Sequence, residues 1–184
     1  MIAHMTVIAP LQSADRTRWE ELARGYKAFY RTPTPDLAYE ETWRRLLDGS
    51  SGFHGLGAYV DGKLVGITHY LFHPMFWYGD TCYLQDLYVA EESRGHGAAR
   101  ALIEEVAERT RAAGATRLYW TTQEDNLRAR VLYDKVARYS GFIKYDYPLL
   151  VPAPVSAGPC QCRPLCRRAG CLCGLAQRAP RILT

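Results

Sequence analysis

No run of apolar residues approaches the eighteen or so that a membrane-spanning helix needs, and the first residues lack the basic-then-apolar pattern of a secretory signal. Together these absences predict a cytoplasmic protein. Cysteine is nearly missing from the first 150 residues, where Cys82 stands alone, which excludes a disulfide scaffold there. Acidic residues are missing altogether beyond residue 150, where five arginines and five of the six cysteines crowd together. The formal charge of +4 therefore belongs to the C-terminal stretch, while 18 Lys or Arg against 19 Asp or Glu leave the preceding part nearly neutral. Such a balance argues against nucleic acid as a partner.

The terminal cysteines come as C-x-C pairs in "CQCRPLCRRAGCLC", with no histidine, rather than as the C-x-x-C knuckles of common zinc folds. No metal is expected. The Pro-rich "VPAPVSAGP" reads as a linker. It places one domain at residues 1–151 and a Pro/Arg/Cys-rich tail at 152–184, which cannot bury a core and is expected to be disordered.

What is present shows clear periodicity. "TVIAPL" reads as a strand. Ser13 or Asp15 can cap a helix to about Tyr30, with Trp19, Leu22, Tyr26 and Phe29 at helical spacing, and "TPTP" breaks it. A second helix runs from about Asp36 to near Gly49. In "FHGLGAYVDGKLVGITHYLFHP" two β-rich runs flank Asp61-Gly62, the dipeptide of a two-residue hairpin turn. "TCYLQDLYVAEE" is a further strand. A helix over Ala98 to Ala113 closes at Gly114. "TRLYWTTQ" predicts a strand, Asn126 caps a helix to about Ser140, and "FIKYDYPL" predicts a final strand. The pattern predicts a mixed α/β fold with helices on both faces of the sheet.

Between strand and helix stands "SRGHGAARALIEEV". A P-loop needs Gly-Lys-Ser/Thr at the helix start, and Gly97 is followed by Ala98 and Ala99. A dinucleotide fingerprint needs a third glycine where Arg100 stands. The remaining pattern, R/Q-x-x-G-x-G/A, is matched by Arg94, Gly97 and Ala99. Small residues there let a pyrophosphate reach the free N–H groups and the dipole of the helix start. A glycine turn that merely caps a helix would show the same letters.

"YLQDLYVAEESRGHGAARALIEEV" followed by "LYWTTQEDNLRARVLYDKVARYSGF" resembles the GNAT superfamily of acyl-CoA-dependent N-acetyltransferases, with the nearest look to the histone and polyamine acetyltransferase branch. The resemblance covers residues 6 to 148. It implies a mostly antiparallel sheet of six to seven strands with one splayed parallel pair, and acetyl-CoA as co-substrate in the splay. The backbone of Leu87, Tyr88 and Val89 would pair with the pantetheine arm. Amides of Arg94, Gly95, His96, Gly97, Ala98 and Ala99 would hold the pyrophosphate, and Asn126 would lie beside the arm. A homodimer is also implied.

The resemblance further implies that Tyr133, in the N-x-x-A-x-x-L-Y helix, is the acid for the departing thiolate. Asp86 is the proton acceptor that remains, because Gln85 stands where the polyamine branch has glutamate; Glu124, Asp125, His69 or His73 could act through water. Seven residues separate Tyr133 from Gly141, four more than in many relatives, which predicts one extra helical turn. Tyr26, Tyr30, Tyr39 and Trp43 could embrace an amine or belong to the core. The activity implied is acetyl transfer from acetyl-CoA to a small amine, polyamine, amino acid or protein lysine. A non-catalytic acyl-CoA-binding module is the alternative.

Overall fold

A computed structural model describes residues 5–77 and 79–149. The chain divides into two units, Met1–Ser140 and Gly141–Thr184. In the first, Asp61 and Gly62 both take positive φ, at 50° and 75°, and join β2 (Phe53–Val60) to β3 (Lys63–Met75) with Val60 opposite Lys63. This is the two-residue turn expected from the Asp-Gly pair. β1 (Thr6–Pro10) pairs with β2, and β4 (Gly79–Val89) with β3, all antiparallel. A short β5 (Arg117–Tyr119) adds to β4 in parallel, so the strand order is β1-β2-β3-β4-β5.

The helices are α1 (Arg16–Phe29), α2 (Asp36–Leu47), α3 (Ala98–Ala112) and α4 (Leu127–Val136). They cover the two faces of the sheet with separate apolar layers. On one face Leu102, Ile103 and Val106 of α3 pack on Leu56, Leu84 and Val89, and Leu132 and Tyr133 of α4 lie against the same layer. On the other, Trp19 and Leu22 of α1 and Trp43 of α2 pack on Leu64 and Ile67. Each fully buried side chain of this kind contributes roughly 1.5–3 kcal/mol. Trp19 and Trp43 meet with ring centroids 4.9 Å apart, and Arg24 bridges Glu20 to Asp36, which ties α1 to α2.

Three expectations are corrected. Among the described residues the sheet has five strands, not six to seven. "FIKYDYPL" forms no strand: residues 141–149 carry no regular structure, and Phe142, Ile143, Tyr145 and Tyr147 are all exposed. Its alternation of apolar and polar residues fits a strand, but a strand needs a hydrogen-bonded neighbour, which periodicity does not supply. The four residues inserted after Tyr133 add no helical turn, since α4 stops at Val136. β5 is also shorter than "TRLYWTTQ" suggested. The tail assigned to residues 152–184 and its cysteines lie outside the described residues.

Candidate active site

The site starts from an irregularity in β4. Asp86 pairs with His69 and Leu84 with Tyr70, so Gln85 is an extra residue, a β-bulge. Side chains alternate along a strand, and one extra residue inverts the alternation. Before the bulge Leu84 points into the α3-side core; without it, Asp86 would follow. With it, Leu87 and Val89 take that face, while Asp86 and Tyr88 turn toward α1. The bulge keeps a carboxylate out of an apolar layer.

The parallel pairing of β4 with β5 runs from Thr81–Arg117 to Tyr83–Tyr119 and ends two residues before the bulge. Beyond it, one edge of β4 has no neighbouring strand among the described residues. The Ala90 N–H donates to the Val65 carbonyl, which makes Gly66–Val89 a non-hydrogen-bonded pair of the antiparallel ladder. Two residues back, Leu87 is in the same phase. Main-chain groups of Leu87 and Val89 therefore face the open edge, whereas those of Tyr88 bond to β3. The Val89 carbonyl accepts from Arg94 Nε at 2.9 Å, leaving the Leu87 N–H and C=O and the Val89 N–H turned to the cleft.

The glycine turn follows directly. Gly95 and Gly97 have φ of 87° and 85°, a left-handed conformation that strains other residues, and a Cβ at either would meet nothing within 4 Å. The space in front of the turn is open. In α3 the Ala101 N–H is the first to bond back, to the Gly97 carbonyl, so the amides of Ala98 to Arg100 are the unsatisfied start of the helix. The Arg94 amide is engaged with the Glu91 carbonyl, and its guanidinium pairs with Glu91 and lies over the Tyr88 ring. Arg94 thus fastens the turn to β4. A pyrophosphate fits this cradle on charge, hydrogen bonding and space.

Asp86 sits in a network assembled from three elements. His69 Nδ1 lies 2.8 Å from Asp86 Oδ2, and Trp19 Nε1 donates to His69 Nε2 at 2.9 Å. Indole N–H is only a donor, so His69 Nε2 must accept and Nδ1 must carry the proton toward the carboxylate. The pattern is that of a neutral Nδ1–H tautomer with both nitrogens occupied. The Tyr26 hydroxyl reaches the same carboxylate and the Gln85 carbonyl, at 3.5 Å from the latter. Burial works to raise the Asp86 pKa, but hydrogen bonds from His69 and Tyr26 prevail and hold it below the ordinary carboxylate value. The Tyr26 hydroxyl is pushed well above its usual pKa, first by burial and then by Asp86.

Tyr133 projects from α4 with its ring 5.4 Å from that of Trp120. Burial, with a smaller effect from Tyr30, pushes its pKa up to about 12. Tyr30 in turn meets Tyr26 at 5.0 Å, so a run of tyrosines links Tyr133 to the Asp86 network. Asn126 caps α4: its Oδ1 accepts from the Ala129 N–H and its amide donates to Thr122 Oγ1. Along the cleft beyond β5, Tyr83 stacks on Tyr119, whose hydroxyl lies 3.2 Å from His73 Nε2.

Of the residues singled out from sequence, Asp86, Leu87 and Val89 lie along β4 beyond its pairing with β5, Gly95 and Gly97 in the turn that follows, and Tyr133 on α4 against the same apolar layer as Leu87 and Val89. Tyr39 and Trp43 are core. His69 is occupied on both nitrogens and offers no basic nitrogen to an amine. Trp19 was read only as an apolar helix position; its ring N–H meeting His69, fifty residues away, leaves no trace in local spacing. Among the described residues no group of three His, Cys, Asp or Glu could hold a metal, and no helix is long and apolar enough to cross a membrane.

The acetyltransferase (GNAT) family model matches residues 19–137. The chain is 32% identical over 148 residues to D-amino-acid N-acetyltransferase HPA3 of Saccharomyces cerevisiae, covering 79% of this chain and 92% of that protein. It is 32% identical over 83 residues to thialysine N-epsilon-acetyltransferase of Caenorhabditis elegans, covering 45% and 52%. Among solved structures, ribosomal-protein-alanine N-acetyltransferase from Brucella melitensis biovar Abortus 2308 matches with a TM-score of 0.65 and 25% identity over 79% of this chain and all of that one. The aminoglycoside enzyme AAC(6')-Iy in complex with a bisubstrate analogue has the same fold, at a TM-score of 0.69 and 16% identity, over 79% and 99%.

Proposed function

Since the chain belongs to the GNAT acetyltransferase family and is an acyltransferase, we propose that it moves the acetyl group of acetyl-CoA to the primary amine of a small molecule, in a ternary complex. The observation that carries this reading is the edge of β4 beyond Tyr83, which has no neighbouring strand among the described residues and runs past the bulge at Gln85 to the glycine turn. Relatives named for D-amino acids and for thialysine support an amino acid as acceptor.

When bound, acetyl-CoA supplies an activated thioester carbonyl. Leu87 and Val89 offer main-chain groups at the spacing of a missing strand, which suits an extended arm bearing amides. The amides from Gly95 to Arg100 receive the pyrophosphate, each charged hydrogen bond being worth roughly 1.5–3 kcal/mol. Asp86, ionised and held by His69 and Tyr26, draws in the ammonium form of the acceptor and orients it. Loss of a proton to water frees the nitrogen lone pair. The nitrogen bonds to the carbonyl carbon, the carbon–sulfur bond breaks, the Tyr133 hydroxyl donates its proton to the departing sulfur, and the second proton shed by the nitrogen returns through water to restore Tyr133. Its raised pKa keeps that proton in place until then.

Thiol release from acetyl-CoA mixed with a panel of amino acids, polyamines and simple amines tests the reading. Amine-dependent release on at least one class is expected. Binding of acetyl-CoA with no release on any amine would overturn it.

A further inference from the structure

α1 and α3 end in the same hydrogen-bonded motif. After α3 the Gly114 N–H bonds to the Arg111 carbonyl and the Ala115 N–H to that of Thr110; after α1 the Arg31 N–H bonds to the Ala28 carbonyl and the Thr32 N–H to that of Lys27. The motif needs a left-handed residue, ordinarily glycine. Gly114 meets that need at φ 72°, but α1 places an arginine there, at φ 51°. Nothing in the helix ending calls for arginine, and its backbone is worse served by it. The guanidinium is what the position retains.

Arg31 lines a cavity of about 480 Å³ between the end of α1 and the start of α4, shared with Tyr30, Gln123, Asp125, Asn126 and Arg128. This is within the size range of small-molecule sites. The six arginines of α1 and α3 each pair with a carboxylate. Arg31 and Arg128 have no acceptor among the described residues, and both lie in this one cavity. Asp125 is the cavity's one acid, so its charge is net positive. The Asn126 side chain is spent on capping α4. Tyr30 also meets Tyr26, the residue hydrogen-bonded to the Gln85 carbonyl, with ring centroids 5.0 Å apart.

Resting on the acetyl-transfer reading above, we propose that Arg31 and Arg128 form a carboxylate subsite for the acceptor. The acceptor is then an amino acid, its amine toward Asp86 and its carboxylate between two guanidinium groups, whose forked donors match a carboxylate. A polyamine, with no anionic group, is disfavoured by the same charges. The cofactor's pyrophosphate has its own cradle at the start of α3, on a different helix.

The test compares kcat/KM for lysine with cadaverine, and for both enantiomers of methionine with 3-methylthiopropylamine, in wild type, Arg31→Gly and Arg128→Gln. Arg31→Gly keeps the left-handed backbone, so loss of fold does not confuse the result. Wild type is expected to favour each amino acid over its decarboxylated amine, and each variant to raise the amino-acid KM by about 10- to 100-fold, collapsing that preference. Equal losses on both members of a pair overturn the proposal. So does a loss that follows the KM of acetyl-CoA and vanishes with 3'-dephospho-acetyl-CoA, which would assign the arginines to a cofactor phosphate. If no amine is turned over, the acetyl-transfer reading fails, and calorimetric binding of the same amino acids to protein saturated with coenzyme A still reads the subsite. Binding that the variants do not weaken overturns it.

Discussion

Trp19 and Asp86 act on opposite sides of one imidazole: the indole N–H occupies Nε2 of His69 at 2.9 Å, and the Nδ1 of the same ring lies 2.8 Å from the carboxylate. The donor-only indole sets the tautomer, and the tautomer gives Asp86 a hydrogen-bond donor rather than a competing acceptor.

Trp19→Phe removes that constraint. His69 Nε2 loses its donor, the ring is free to turn or change tautomer, and Asp86 loses a fixed hydrogen-bond partner. kcat/KM should then fall by about tenfold, the worth of one hydrogen bond of about 1.4 kcal/mol. Stability should fall by about 1–3 kcal/mol from the lost bond and the poorer fit. Nitrogen chemical shifts of the histidine ring check the tautomer directly. Full activity with the tautomer unchanged would reduce Trp19 to a packing residue.

The wild-type profile follows from Asp86 and Tyr133. Because the folded pKa of Asp86 is lowered, its charge is complete above the ordinary value of about 3.9 and is lost only as pH falls through the lower, folded value. Tyr133 keeps its proton up to about pH 12. Neither group ionises between pH 5 and 9. kcat/KM should therefore rise about tenfold per unit over that range for an amine of pKa about 10.4, and level off near pH 8 for an α-amine. A bend at one pH shared by both amines would mean that a site group is ionising instead. Asp86→Asn should cost about 10²-fold in kcat/KM at every pH in this range.

Tyr133→Phe keeps the ring against Trp120 and removes the proton donor. kcat should fall by about 10²- to 10³-fold with little change in KM for acetyl-CoA. Full activity in the variant would remove Tyr133 from the mechanism.

Arg31→Gly should raise stability by roughly 1 kcal/mol, since the left-handed position is relieved and no ion pair is lost. Thermal unfolding measures this. A destabilised variant would mean that the arginine serves the helix ending rather than a ligand.

Much of the scaffold was legible because its causes are local. Asp61-Gly62 dictated a tight hairpin, Gly114 the end of α3, Asn126 the start of α4, and the helical spacing the burial of Trp19 and Leu22 in α1, though Phe29 at the same spacing is exposed. Local pattern also misled. "FIKYDYPL" has the letters of a strand without the partner, and the insertion after Tyr133 has the length of a helical turn without becoming one.

The glycine turn and the Tyr133 helix carried the family likeness from sequence alone, because each is built from consecutive residues. The arrangement of the reacting groups was decided only by the tertiary structure. The bulge at Gln85 exists only as a mismatch between β3 and β4, and that mismatch turns Asp86 toward α1. Trp19, His69 and Asp86 come from three elements, and Arg31 and Arg128 from the end of α1 and the start of α4. Contacts of this kind are set by how helices pack on a twisted sheet, a relation between distant segments that no local spacing encodes.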